Sequence, residues 1–428
     1  MKSRNIRYII LYCIIPILIV SQFSPLIKLE ISNIQNSINL SNSGTSNYTI
    51  PQNVTYQVET NFSIQQLTGS GNYYLKFAKL NNKTPDSSLM RFSPPYQKSF
   101  PYDRFILGNI PSQTDLDHQD RFNNTYDSFN ISLGSIINPE FIYGQKYNVT
   151  LNEIAFDTIQ DSEIGDYNYS DIMFDLYCNN SVENYNISDP DLILASNTIV
   201  QGASNVVEKA RKIIQWIRDN IEYEASEDEE KGASWAYENK KGDCSEFASL
   251  MVTLLRIQNI PARKVSGYLI SNNPRLRPTV GQSWTFRFSK SETGNFLGHA
   301  WVEYYIPNVG WISCDPTFYQ SDSIYFNYID FLRFNLNVGQ WFYCPGSGPD
   351  PGPSDDYKSE FPNPWFYGLS SGDIDYEYQF KVTVLEANLK PQVWIYFLAI
   401  GLPIIIILAI VSYIIVRRRK KSRELFYY

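Results

Sequence analysis

Histidine is nearly absent: the 428 residues contain only His118 and His299. A thiol nucleophile needs a base within hydrogen-bond reach, so histidine-assisted thiol chemistry must run through one of these two, and His299 is the better placed. Cysteine is also sparse. The five cysteines form no CxxC pair, and with so few histidines they exclude a usual structural zinc site. Neither a metal nor a cofactor is expected. A basic face is missing as well, because Lys and Arg total 36 against 44 Asp and Glu, for a net charge of -8. Phosphate binding needs such a face, so a nucleic-acid partner is excluded and the acidic surface serves solubility.

Charge is wholly missing from residues 393–416. As a helix that run is about 36 Å long, enough for a hydrocarbon core of about 30 Å, so a C-terminal transmembrane helix is expected there. Arg417, Arg418, Arg419, Lys420, Lys421 and Arg423 follow directly and mark residues 417–428 as a basic cytoplasmic tail. At the other end, Lys2, Arg4 and Arg7 precede an apolar run from Tyr8 to Val20. This is the pattern of a signal peptide or signal anchor over 1–28. Either version places the bulk of the chain outside the cell membrane, as a single-pass or double-pass protein.

The 43% hydrophobic content suffices for one or two cores, and the composition divides the exported part. Residues 29–49 are rich in Asn and Ser and read as a flexible spacer. Between 50 and 190, alternating segments such as Thr55-Tyr56-Gln57-Val58 and Tyr73-Tyr74-Leu75-Lys76-Phe77 are separated by turn residues, the pattern of an all-β module. Ten Asn-x-Ser/Thr acceptors lie between Asn47 and Asn186 and none follows. They allow a glycoprotein, although Asn-rich sequence generates such triplets by chance. Residues 203–222 are helical in pattern, with Val206, Ala210, Ile213, Ile214, Ile217 and Ile221 on one face and Ser204 as N-cap. Glu227 to Glu230 read as a solvated acidic loop. Residues 341–391 comprise a Pro- and Gly-rich loop and a strand, Asp375 to Leu385, that could return to the exported part. Cys178 and Cys344 are free to form an exported disulfide.

Three short stretches carry the chemistry. Asp243 with Glu246 three residues later has the capping-box form, so a helix begins with Cys244 in its first turn. Cys244, Phe247, Ala248, Met251, Leu254 and Leu255 share its buried stripe. The helix N-terminus favours thiolate and can hold an oxyanion. Asp243 opposes the first effect, so an imidazolium partner is required. His299, Trp301 and Glu303 point to one face of a strand, while Ala300, Val302, Tyr304 and Ile306 point to the other. The strand turns at Pro307-Asn308-Val309-Gly310 and returns as Trp311 to Asp315. A four-residue loop would pair Val302 with Asp315 and put the carboxylate on the wrong face. A three-residue loop with Gly310 in a left-handed bulge pairs Trp301 with Asp315. That register sets His299 diagonal to Asp315 at about 7 Å between Cβ atoms, a gap an imidazole can bridge, and it is the one expected.

Gly242-Asp243-Cys244, Ile260-Pro261-Ala262-Arg263 leading to Val265-Ser266-Gly267-Tyr268, His299-Ala300-Trp301-Val302-Glu303, and Gly310-Trp311-Ile312 with Asp315-Pro316-Thr317 resemble the transglutaminase-like superfamily over about 205–320. The resemblance implies an α+β, papain-like core over 200–340, with the cysteine helix packed on an antiparallel sheet, preceded by the all-β module. It implies Cys244 as nucleophile, His299 as base and Asp315 as orienting carboxylate. It also implies a tryptophan that helps hold the oxyanion; Trp235 is a better candidate than Trp216, although neither matches by motif. No segment matches the family's calcium sites. Residues 271–297, with Arg275, Arg277, Trp284 and Phe286, form either a substrate-facing lid or an inert insertion. The expected activity is thioester chemistry on a protein or peptide amide, by transfer or hydrolysis. The alternatives are a cysteine peptidase and a non-catalytic surface receptor that has kept the fold.

Overall fold

The computed structural model describes residues 48–80, 82, 93–120, 122–134, 140–156, 158–178, 183–225, 230–292, 294–339, 365–391 and 401–424. The expected signal segment, nearly all of the spacer, Cys344 and the Pro- and Gly-rich loop lie outside these residues.

The first part is a two-sheet β-sandwich. Its early strands are β1 (Asn53–Gln66), β2 (Ser70–Ala78), β3 (Gln97–Gly108), β4 (Gln113–Gln119), β5 (Thr125–Gly134) and β6 (Glu140–Asn152). Along β1 the burial alternates, so that Val54, Tyr56, Val58, Phe62 and Ile64 face inward, as the period of two in the sequence requires. Between the sheets the rings of Phe77, Phe129, Phe141 and Tyr143 pack at centroid spacings of 4.5–6.0 Å.

The strands of this module end short of the composition boundary near 190. After Ile154–Phe156 come α1 (Ile172–Tyr177) and α2 (Pro190–Ile199). Asp189 caps α2 through the amides of Asp191 and Leu192, with Pro190 in its first turn. Tyr185, Leu192 and Ala195 join the core of the second part. Asp189-Pro190, a cap followed by an N1 proline, opens the second part.

The second part contains α3 (Val206–Asn220), α4 (Gly232–Asn239) and α5 (Cys244–Ile257), followed by β7 (Ala262–Leu269), β8 (Ser283–Ser289), β9 (Gly298–Ile306), β10 (Gly310–Cys314) and β11 (Arg333–Val338). The expected stripe of α3 is buried, but its cap is Asn205, whose side chain accepts from Glu208 N at 2.9 Å. Ser204 instead donates to the Glu208 carboxylate. Four strands form an antiparallel sheet in the order β10-β9-β7-β11. Helix α5 lies on the face presenting Ala300, Val302, Tyr304 and Ile306, and its buried side chains join theirs in one apolar core.

The remaining strands bind the two parts together. β12 (Trp365–Ser371) and β13 (Ile374–Asn388) complete the sandwich sheets, whose orders are β8-β13-β1-β6-β3 and β12-β2-β5-β4. The segment 271–297 is therefore not an inert insertion: its strand β8 pairs with β13 in the module's sheet, and Phe286 is buried. Alternating side chains in both segments allow this pairing.

The C-terminal unit holds a helix α6 (Leu402–Glu424), on which Leu402 to Val416 are exposed. The expected transmembrane helix at 393–416 is not supported by it. Residues 393–400 lie outside the described residues, and among the described residues no helix is long and apolar enough to cross a membrane.

Gly267 shows how tightly β11 seats on the sheet. A Cβ on Gly267 would lie 1.7 Å from the carbonyl oxygen of Phe334, so Gly267→Ala forces the two backbones apart. It should cost about 2–3 kcal/mol and lower the melting temperature by about 5 °C, measured by calorimetry.

Candidate active site

Helix α5 opens as its sequence requires. Asp243 accepts from Ser245 N at 2.7 Å, and Glu246 reaches back to Asp243 N at 3.0 Å, which completes the capping box. Cys244 is the first helical residue and is 7% exposed. Cys244 and Ala300, the residue after His299, lie in one apolar core. Among the described residues no direct Cys244–His299 hydrogen bond is formed.

Burial and the adjacent Asp243 push the Cys244 thiol up to about 12, against smaller opposing effects of the Ala300 amide and Lys264. Asp243 itself is pushed up to about 7 by burial and by Glu246. The helix terminus alone therefore leaves the sulfur protonated at neutral pH, and a nearby base must take the proton.

The ladder of β9 and β10 has the three-residue register. Val302 pairs with Cys314 and Ile306 with Gly310, around a corner in which Asn308 and Gly310 both have positive φ, 67° and 105°. This register brings Asp315 to the face of His299, and the His299 Nε2 to Asp315 Oδ2 distance is 2.7 Å. Burial works to raise the Asp315 carboxyl, but His299 and Arg333 overrule it and hold the group well below the usual carboxylate range. An ionised acceptor fixes the proton on Nε2 and leaves Nδ1 as the basic nitrogen. The imidazole is held between Trp301, stacked at 6.1 Å, and the edge of Phe318 at 5.2 Å. His118, by contrast, lies on β4 with its side chain 58% exposed, beside Asp115.

Several buried charges around the site were not legible as such. Glu230, expected in a solvated loop, is 7% exposed and pairs with Lys264 beneath α5, while Ser249 donates to its other oxygen. Burial would lower the Lys264 ammonium, but Glu230 more than offsets this and raises it. Arg263 and Glu303, both inside the recognised motifs, pair at 2.6 Å, and the guanidinium covers the Trp311 ring at 3.8 Å. Arg333 donates to Asp315 and to Asp330. The single sign of Arg333 in the sequence is a charge at the head of an otherwise uncharged strand.

Trp216 stacks on Tyr237 and Trp235 lies under Lys231. Tyr223 pairs with Gly242 across a short parallel ladder, and its ring lies 6.1 Å from that of Phe247. Burial pushes its phenol up to about 12, with the charges of Cys244, Asp243 and Asp315 adding to the effect. Cys178 and Cys314 are buried free thiols, pushed up to about 11 and about 12 by burial. Among the described residues no group of three His, Cys, Asp or Glu could hold a metal ion.

With this geometry in place, the class of the site is defined by its match to known proteins. Residues 195–316 fit the family described as Transglutaminase-like superfamily, so the chain carries a domain of that superfamily. The chain is 31% identical over 126 residues to the uncharacterized protein YebA of Bacillus subtilis, covering 28% of this chain and 16% of YebA. It is 35% identical over 82 residues to a protein-glutamine gamma-glutamyltransferase of Pseudomonas aeruginosa, covering 19% of this chain and 11% of that protein. The chain thus spans less than a fifth of either relative. Among solved structures, a Cytophaga hutchinsonii protein provisionally named a cysteine protease aligns over 80% of this chain and 95% of its own, at 15% identity and a TM-score of 0.47. The periplasmic domain of TgpA from Pseudomonas aeruginosa aligns over 66% and 96%, at 16% identity and a TM-score of 0.29.

Asp243→Asn keeps a good cap and removes the negative charge beside the sulfur. Alkylation of Cys244 by iodoacetamide at pH 8, followed by mass spectrometry of its peptide, should accelerate about 3- to 10-fold. The difference should shrink below pH 6, where Asp243, titrating near 7, is neutral in the parent protein as well.

Proposed function

We propose that this protein is a cysteine enzyme of amide chemistry, tethered to a membrane with its bulk outside the cell. The observation that carries the reading is the His299–Asp315 pair at 2.7 Å, on a strand whose next residue, Ala300, shares one apolar core with the helix-opening Cys244. Nδ1 of His299 takes the proton from Cys244, and the thiolate attacks a glutaminyl or peptide carbonyl. The backbone N–H of Cys244, which the capping box does not engage, holds the oxyanion. The tetrahedral intermediate collapses as the C–N bond breaks, the imidazolium returns the proton to the leaving amine, and a thioester remains on Cys244. A primary amine or water then releases the acyl group. The name of the Pseudomonas aeruginosa relative favours a glutaminyl substrate and transfer.

The burial of Cys244 favours a second reading, a receptor that has kept the fold with a protonated, inert thiol. Two measurements decide between them. Labelling of Cys244 by a thiol probe should be pH-dependent and should slow at least 100-fold in His299→Ala; labelling indifferent to His299 means the inert receptor. Incubation of the purified protein with a glutamine peptide and a primary amine should release ammonia and incorporate the amine, and Cys244→Ala should abolish both. Cleavage of the peptide backbone instead would mean a peptidase.

The tether is proposed from the uncharged run 393–416 followed by the basic tail. With residues 1–28 replaced by a cleavable secretion signal, a chain running to residue 428 should stay with the membrane pellet on carbonate extraction, and one ending at residue 391 should leave it.

A further inference from the structure

Among the described residues strand β11 is an outer strand of its four-stranded sheet, with β7 as its only strand neighbour. Its other edge is taken by side chains of the β-rich module. The Gln97 amide donates to Asn335 O and accepts from Asn335 N, both at 2.9 Å. The Asn124 amide does the same for Val338, at 2.7 and 2.8 Å. Tyr96 donates to the carbonyl of Arg333, and Tyr126 donates to Asn337 Oδ1 at 2.7 Å. Side-chain amides thus meet the backbone groups of β11 as a further strand would. The register shift opposite Ser266 and Gly267 is a bulge, a device that re-aims side chains. Arg333 pairs with Leu269, two residues beyond the Gly267 that faces His299, so Arg333 and His299 share one face.

On that face the carboxylate of Asp315 is filled on all sides. Oδ2 accepts from His299 Nε2 and from Arg333, while Oδ1 accepts from the amides of Thr317 and Phe318, each at 3.0 Å. Any rotation of the carboxylate breaks several of these bonds at once. Arg333 is itself fixed, because Asp330 takes its Nε at 3.3 Å and a terminal nitrogen at 2.8 Å, and Tyr325 donates to Asp330 at 2.8 Å. The rings of Trp301 and Phe318, which flank the imidazole, also lie against the guanidinium at 5.5 and 5.1 Å.

We propose that Arg333 is a positioning residue for the His299–Asp315 pair, and that the β-rich module serves the site by seating the strand that carries it. Its activity readout rests on Cys244 being the nucleophile; its structural readout does not. A guanidinium that only neutralised a buried carboxylate would be dispensable once the charges were balanced another way. The double variant Arg333→Met, Asp330→Asn removes one buried cation and one buried anion together and tests this directly.

With only two histidines in the chain, proton NMR can follow the hydrogen-bonded imidazole N–H of His299 as a downfield resonance, with His118 as internal control. In the double variant that resonance should broaden or vanish, and kcat for amine incorporation should fall about 10- to 100-fold with KM within about threefold. Arg333→Lys should restore part of both, since it returns the charge without the fork. Gln97→Leu, in the module and outside the site, should move both in the same direction by less. A cooperatively folded double variant with the parent kcat and an unchanged His299 resonance overturns the proposal. If the double variant does not fold, Arg333→Lys and Gln97→Leu decide by the same readouts, and parent values in both overturn it. A parent protein that shows the resonance but no thiol chemistry would sink the enzymatic reading alone; loss of its resonance in the variants would still support Arg333 as the positioning group.

Discussion

The hydrogen bonds converging on the buried carboxylate of Asp315 join the candidate site to its scaffold. A carboxylate this deeply buried is costly unless it is paired and saturated with donors, and here an imidazole, a guanidinium and two amides supply them. These donors come from three different pieces of local structure: the head of β9, the head of β11 and the turn after β10, which supplies both amides. The geometry of the imidazole is therefore set by the positions of three segments at once. The β9–β10 corner matters for the same reason, because a shift of one residue would send Asp315 to the opposite face.

Local rules made much of this legible. The capping box, the buried stripe of α5, the alternation of β9 and the choice between two loop lengths each follow from a few neighbouring residues, and each is reproduced in the structure. What escaped the sequence was long-range. Glu230 stands at the end of an acidic run and reads as solvated, yet its partner Lys264 is 34 residues away. Arg333 stands 18 residues beyond Asp315, and no periodicity in its strand announces a contact. Buried charge pairs obey no short-range pattern: each half looks like a surface residue until the fold supplies the other.

The same reasoning explains why the role of 271–297 was left open. Composition reports solvent exposure and turn density, not which strands pair. Strand membership depends instead on a free edge elsewhere in the chain, and β13, nearly ninety residues later, provides the edge that β8 joins. The single resemblance covering about a quarter of the chain could not anticipate a sheet assembled from both ends of the sequence.

That interleaving has an evolutionary consequence. Because the polypeptide leaves the sheet that carries His299, contributes β8 to the sandwich and comes back before His299, the stretch from 200 to 340 is not a cassette that recombination could lift out and graft onto another host. Lineages carrying this arrangement should inherit or lose both halves together, and shuffled descendants should be confined to changes outside residues 50–388.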